Sequence, residues 1–185
     1  MNTLTDTPVL SDFDTAYFAY SDLVMQATMQ QVEQASVWYF EAQEVAEDVA
    51  EILGTSLEVG ASIVSAFSPR ERWSSNVAKA YAFANGKPVS GLSNNLRMAE
   101  AAKVSGFDAL KGQKTNAFAR AIAGDSDAVV IDVWMCRAAN AATDSPSKGL
   151  YNNLCDAVRT VANDHGITPR TAQALIWIIV RGNHA

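Results

Sequence analysis

Apolar residues recur at spacings of three and four along nearly the whole chain of 185 residues, whereas strictly alternating patterns barely occur. This spacing places apolar side chains on one face of a 3.6-residue helix and does not fit the two-residue period of a strand. The length allows one hydrophobic core and is short for two domains. The sequence therefore predicts an all-α fold, built as a single compact helical domain.

The most regular pattern covers residues 32–53, where apolar residues follow one another in unbroken steps of three and four up to Gly54. We favour a core helix with a solvated side, because the three alanines in the apolar face make a weak zipper seam. The alternative is a seam for a partner helix, with an acidic stripe for a basic surface. The stripe consists of Glu41, Glu44, Asp48 and Glu51.

Local signals mark the ends of other helices. Ser68, Pro69 and Glu71 predict a helix start with a serine N-cap, proline at the first helical position and a glutamate completing a capping box. Thr168 followed by Pro169 predicts the start of the final helix. With these signals, the apolar spacing predicts further helices over about residues 14–29, 69–85, 92–104 and 168–182.

Charge is divided unevenly along a chain whose formal net charge is −6. Residues 1–69 contain eleven acidic residues and no Lys or Arg, whereas residues 70–185 carry all fourteen basic residues and a balance of +5. The second part is basic enough to bind phosphate, because Lys and Arg supply much of a protein's affinity for nucleic acid. We therefore distinguish an acidic helical segment, residues 1–60, packed on a core of residues 61–185. The acidic helices would suit a basic protein partner.

Several classes of protein are excluded by composition. The longest unbroken apolar run has seven residues, 174–180, where a membrane span needs about 20. No basic flank or apolar region typical of a secretory signal occurs near the N-terminus, so we expect a cytoplasmic protein without membrane contact. Two cysteines, Cys136 and Cys155, with two histidines are too few for a disulfide framework or a metal cluster. We expect neither a metal nor an organic cofactor.

One stretch combines a turn, a basic helix start and a carboxylate. Leu-Lys-Gly-Gln-Lys-Thr, residues 110–115, predicts a glycine turn that opens a lysine-headed helix. Amides at such a turn can cradle a phosphate, and Lys111, Lys114 and Arg120 add positive charge. A short apolar segment, residues 129–131, then delivers Asp132 to the first turn of the next helix. Taken alone, these residues favour an N-cap for Asp132 and a solvated lysine for Lys114.

The order of these elements resembles the helix-hairpin-helix DNA glycosylases, with an oxoguanine glycosylase or endonuclease III-like core. In that family a hairpin of the type Leu-Pro-Gly-Val-Gly-x-Lys precedes a Val-Asp-x-His/Trp segment by just under twenty residues. Here Lys114 and Asp132 are 18 residues apart, and Asp132 lies in Val-Ile-Asp-Val-Trp-Met. Residues 63–68 and 77–80 resemble the early helix pair, and residues 173–177 resemble the last core helix. The chain also resembles small phage proteins of this type.

The resemblance implies an enzyme that acts on double-stranded DNA. Asp132 would stabilise the positive sugar or activate the nucleophile, and Lys114 would attack the anomeric carbon to form a Schiff base. Trp73 or Trp134 would line a pocket for a base displaced from the stack. The hairpin residues expected to bind DNA are Lys111, Gly112, Gln113, Thr115 and Arg120.

This chain departs from the family pattern in its hairpin. Lys111 stands where the family has proline, the second glycine and two residues of length are missing, and the cysteines of the iron-sulfur branch are absent. Three functions remain open. They are a DNA glycosylase with or without lyase activity, a phage-type relative that modifies a DNA base without excising it, and a non-catalytic binding protein that retains the fold.

Overall fold

The computed structural model describes residues 11–182, of which 73% are helical, and this part of the chain contains no strand. The all-α prediction is therefore confirmed. The helices, in chain order, are α1 (Asp12–Met25), α2 (Met29–Leu53), α3 (Leu57–Phe67), α4 (Trp73–Ala84), α5 (Ser93–Ser105), α6 (Gln113–Ile122), α7 (Val133–Ala138), α8 (Lys148–Asp164) and α9 (Pro169–Arg181), with a 3₁₀ turn at Gly106–Ala109 between α5 and α6.

Helix α3 forms the centre of the core. Every residue from position 60 to 67 is buried, and α2, α4, α5 and α6 all pack against this helix. The Ser65 hydroxyl satisfies its hydrogen-bonding capacity by donating to the carbonyl of Thr115, 2.7 Å away. A helix that is apolar on all sides is stable in water only in such a central position.

Gly60 allows α2 and α3 to approach each other closely, because a Cβ at this position would lie 2.1 Å from the carbonyl oxygen of Ala46. We expect Gly60→Ala to destabilise the protein by about 3 kcal/mol or more, since backbone atoms cannot move aside as a side chain can. Gly149→Ala is the matched control: its Cβ would meet no atom closer than 3.9 Å. Urea unfolding of both variants measures the effect, and equal stabilities would contradict the proposed close contact.

The two acidic helices share the core with the rest of the chain. Tyr20 of α1 is fully buried and donates to the carbonyl of Met135, 2.9 Å away. Tyr39 of α2 is buried and donates to Gln173 Oε1 of α9 at 2.7 Å. The acidic residues of α2 are exposed on its other side. The preferred interpretation of α2 as a core helix with a solvated side is therefore confirmed.

The predicted helix over residues 14–29 is wrong at its end. Helix α1 ends at Met25, and α2 begins at Met29 with Thr28 as its N-cap. Thr28 and Gln31 form a capping box, in which each side chain accepts a hydrogen bond from the other residue's backbone amide. In a continuous helix, the backbone amides of Thr28 and Gln31 would donate to carbonyls of the preceding turn. Here they donate to side chains instead, which marks the start of a new helix.

The predicted helix start at Ser68 is also wrong. Ser68 is the C-cap of α3, and α4 begins five residues later at Trp73. Arg70 adopts a left-handed backbone conformation with φ of 63°, which a right-handed helix excludes. Glu71 accepts hydrogen bonds from Lys79 and from the Ser75 hydroxyl instead of capping an amide of Ser68.

Neither cysteine takes part in a disulfide. Cys136 and Cys155 are both buried and free. Burial raises the pKa of Cys136 to about 11 and that of Cys155 to about 12. Both therefore remain protonated thiols at neutral pH, which suits packing and not nucleophilic chemistry.

Within residues 11–182, no single helix combines the length and apolar character that crossing a bilayer requires. The pair α2 and α3 meets that criterion only when joined across a bend of 112°.

Candidate active site

Five helices and the loop before α4 enclose a pocket of about 210 Å³. All four tryptophans of the chain line it: Trp38 from α2, Trp73 from α4, Trp134 from α7 and Trp177 from α9. The volume is below the roughly 300 Å³ at the lower end for drug-sized ligands, so the pocket suits a small group. Its polar lining residues are Ser68, Arg70, Glu71, Asn76, Lys114, Asp132, Gln173 and Arg181.

The aromatic wall is organised around Trp38. The centroid of its ring system lies 5.4 Å from that of Trp73, 5.8 Å from that of Trp177 and 6.0 Å from that of Phe118. These separations are typical of packed aromatic pairs. Tilted aromatic faces around a small pocket offer surfaces on which a flat ring can stack.

Asp132 follows a buried segment without helical structure, residues 129–131, that Tyr151 holds in place. The Tyr151 hydroxyl accepts from the amide of Ile131 and donates to the carbonyl of Val129, at 3.3 Å in each case. This segment delivers Asp132 to the pocket at the point where α7 begins. The predicted order of apolar segment, aspartate and helix is therefore confirmed.

The Asp132 carboxylate accepts three hydrogen bonds. Its Oδ1 atom caps α7 by accepting from the amides of Trp134 at 2.9 Å and Met135 at 3.0 Å. Its Oδ2 atom accepts from the indole N–H of Trp177 at 3.1 Å. The expectation of an N-cap is confirmed, and the same carboxylate also borders the pocket. Three N–H donors fix its orientation there.

Lys114 lies in the first turn of α6, whose N-cap is Gly112. It is half-buried and lines the same pocket as Asp132. Among residues 11–182, its ammonium group forms no ion pair. The pocket therefore brings a lysine side chain and a carboxylate together beside four indole rings.

The residues predicted to bind DNA mostly lie elsewhere. Lys111, Gly112, Gln113 and Arg120 line an open groove on the other side of α6. Thr115 does not reach this groove: it is 8% exposed, and its hydroxyl donates to the carbonyl of Gly112 at 3.1 Å. This hydrogen bond stabilises the glycine turn before α6.

The groove has mixed charge. Besides Lys111 and Arg120 it contains Arg159 and four carboxylates, from Asp108, Asp125, Asp127 and Asp156. The Arg120 guanidinium is already stacked over the ring of Phe107, 4.7 Å from its centroid, and bonded to Asn116. Arg159 is paired with Asp156, 3.0 Å away, so both arginines of this groove are already engaged by groups of the protein itself.

Trp38, Asn76 and Trp177 are among the pocket residues that sequence reasoning missed. Trp38 belongs to the acidic helical segment, residues 1–60, for which no part in the pocket was predicted. Trp177 lies in the apolar run that resembles the last core helix. The tryptophan residues themselves offered a signal. A buried indole N–H needs a hydrogen-bond acceptor, and tryptophan is enriched where one end of the side chain is apolar and the other end faces a polar group. Asn76 carries no comparable sequence signal.

Comparison with known proteins identifies a family for this chain. No curated protein and no solved structure matches the chain. A family model described as a family of unknown function, DUF7178, matches residues 17–184. The match begins inside α1 and includes α2, so the acidic helices are part of the shared domain and not an addition to it. The chain belongs to the DUF7178 family.

Proposed function

We propose that this protein is a DNA base-acting enzyme, a glycosylase with a helix-hairpin-helix type of core, which takes a displaced base into the tryptophan-lined pocket. The observation that supports it most is the position of Lys114 and Asp132. Lys114 lies in the first turn of α6 and Asp132 caps α7, 18 residues later in sequence, yet both line one pocket.

The chemistry follows from these two groups. Once Lys114 Nζ has given a proton to water, it attacks the anomeric carbon of the displaced nucleotide, and the glycosidic bond breaks with its electron pair leaving on the base. The base then takes up a proton from water or from a protonated neighbour. Asp132 offsets the positive charge that develops on the sugar. The new secondary ammonium then loses a proton to water. The C1′–O4′ bond of the sugar breaks, O4′ takes up a proton, and the nitrogen lone pair forms the C=N bond of a protonated Schiff base.

The aromatic wall would supply much of the binding energy. Stacking of a base on an aromatic side chain contributes about 1–3 kcal/mol per base. Removing a base from the duplex costs a few kcal/mol, and less for a mismatched or damaged base. Two or more indole contacts would therefore offset the cost of displacement and favour bases that are already weakly paired.

Product analysis on a panel of damaged, modified and unmodified duplexes tests the proposal. A glycosylase releases a free base and leaves an abasic site or a cut strand, and both products are identified by mass spectrometry. A change in the mass of the base without release would instead assign the protein to the base-modifying class. Binding with no product on any duplex would leave the non-catalytic class.

The exposed acidic face of α2 should weaken DNA binding. We expect replacement of Glu41, Glu44, Glu47 and Glu51 by Gln to tighten binding to unmodified duplex about threefold or more at low salt, by removing repulsion of phosphates. Substitution is preferable to truncation, because α2 also supplies Trp38 and Tyr39 to the pocket. Fluorescence anisotropy measures the affinity, and the difference should vanish at high salt. Equal affinities at low salt would show that this face does not oppose DNA.

A further inference from the structure

Two arginines line the tryptophan-lined pocket without a partner in the described part of the chain. Arg70 lies in the loop before α4 and is exposed, and Arg181 ends α9 and is half-buried. Among residues 11–182, neither guanidinium forms an ion pair or donates a hydrogen bond. Five other arginines of this part donate hydrogen bonds to protein groups: Arg97, Arg120, Arg137, Arg159 and Arg170. The donors of Arg70 and Arg181 are thus available to a ligand.

The aromatic wall orients Arg181. Its guanidinium carbon lies 4.5 Å from the centroid of the Trp177 ring, which itself lines the pocket. Stacking uses the flat face of the guanidinium, so the N–H groups in its plane remain free to donate. A guanidinium held in this way is well suited to bind an anion through two parallel hydrogen bonds.

Arg70 has a backbone conformation that suits glycine better. Its φ of 63° lies in the left-handed region, which costs free energy for a residue with a Cβ atom. Strained residues of this kind cluster at binding and active sites. Since Arg70 lines the pocket, its strained position indicates that its side chain takes part in binding there.

The lining of the pocket has an excess of positive charge. Of its two carboxylates, Glu71 is neutralised by an ion pair with Lys79. One carboxylate, Asp132, is then left with the two arginines, so the lining is positive whether or not Lys114 carries a proton. A neutral base would leave this charge uncompensated, whereas the phosphate groups of a nucleotide would compensate it.

We infer that the pocket binds a nucleotide, with its base against the tryptophans and its phosphate held by Arg70 and Arg181. The phosphate belongs to a free nucleotide or to a strand with a displaced nucleotide, and its chemistry is the same in both. Arginine suits this ligand, because its fork of donors matches the oxygens of a phosphate group. This inference rests on the proposed function, since it concerns the same pocket.

Tryptophan emission reports binding, because all four tryptophans line the pocket. The probes are the four deoxynucleosides and their 3′,5′-bisphosphates, compared at constant ionic strength. We expect at least one bisphosphate to bind at least about tenfold more tightly than its nucleoside, and added salt should reduce this preference. A trinucleotide with the same central base identifies the source of the phosphate. Tighter binding than the bisphosphate indicates a strand, and weaker binding indicates a free nucleotide.

Variants locate the effect at the two arginines. Arg70→Gln and Arg181→Gln should each weaken binding of the preferred bisphosphate at least about fivefold and leave the affinity for its nucleoside unchanged. Arg72→Gln is the matched control and should keep the wild-type preference, because Arg72 is exposed near Arg70 but does not line the pocket.

A further variant separates binding from folding at Arg70. Arg70→Gly should weaken bisphosphate binding as Arg70→Gln does, because both lack the guanidinium. Its thermal midpoint should be unchanged or higher, because glycine adopts the left-handed conformation without strain. A lower midpoint would assign Arg70 to the fold and overturn its role in binding.

Three other results would overturn the inference: no quenching by any probe, equal affinity of the wild-type protein for nucleosides and bisphosphates, or the same loss in Arg72→Gln as in the pocket variants. If a pocket variant does not fold, the paired probes on the wild-type protein decide the matter. Failure of the proposed function would appear differently: no duplex would release a base, although bisphosphates would still bind in a manner that depends on Arg70 and Arg181.

Discussion

Asp132→Asn is expected to reduce the rate of base release about 100-fold or more, since a fixed carboxylate that offsets transition-state charge contributes at least that much. The protein should remain folded. The Asn carbonyl can keep the two amide bonds that cap α7, but its N–H group would face the indole N–H of Trp177. We therefore expect a loss of stability of about 1–2 kcal/mol. Single-turnover kinetics and urea unfolding measure the two effects separately.

A matched carboxylate provides the control for this variant. Asp144 is paired with Arg137 at the surface and does not line the pocket. Asp144→Asn should release base at the wild-type rate. If folded Asp132→Asn protein has wild-type activity, Asp132 acts only as the N-cap of α7 and has no catalytic role.

Borohydride added during turnover is expected to attach the wild-type protein covalently to its DNA, because it reduces a Schiff base to a stable amine. Lys114→Gln should abolish this adduct completely, since no other lysine lines the pocket in the described part of the chain. The affinity for duplex should be little changed, because this substitution removes only one of the many positive charges that can interact with phosphates. Denaturing electrophoresis of the labelled duplex measures the adduct.

Lys111→Gln is the matched control. Lys111 lies three residues before Lys114 but lines the open groove on the other side of α6. Its removal should leave trapping intact and weaken DNA binding. Base release by the wild-type protein without any adduct would contradict the role of Lys114 and leave a monofunctional mechanism, in which Asp132 activates water.

The parts of the site that were predicted from sequence depend on local signals. A glycine turn before Lys114 predicts a helix start, and an aspartate after β-branched residues predicts a cap on the following helix. Both elements form as expected. Such signals act within one turn of the chain, so they do not depend on how the helices pack.

The remaining pocket residues depend on tertiary packing. Trp38 and Trp177 are more than a hundred residues apart, and they meet because α2 and α9 pack together. The error at Ser68 has the same origin, since its capping signal is overridden where α3 runs to Phe67 and the chain then turns at Arg70. Local sequence cannot indicate which of two adjacent helices a capping residue will serve.

The most direct test of the central claim is the affinity for duplexes whose abasic nucleotide mimics the charged sugar. A cationic pyrrolidine nucleotide resembles the oxocarbenium-like transition state, whereas the neutral tetrahydrofuran nucleotide has the same shape without the charge. We predict that the wild-type protein binds the cationic duplex at least about 100-fold more tightly, the lower range for transition-state analogues. Asp132→Asn should remove this preference. Equal affinities of the wild-type protein for the two duplexes would contradict a pocket built to stabilise a positive sugar.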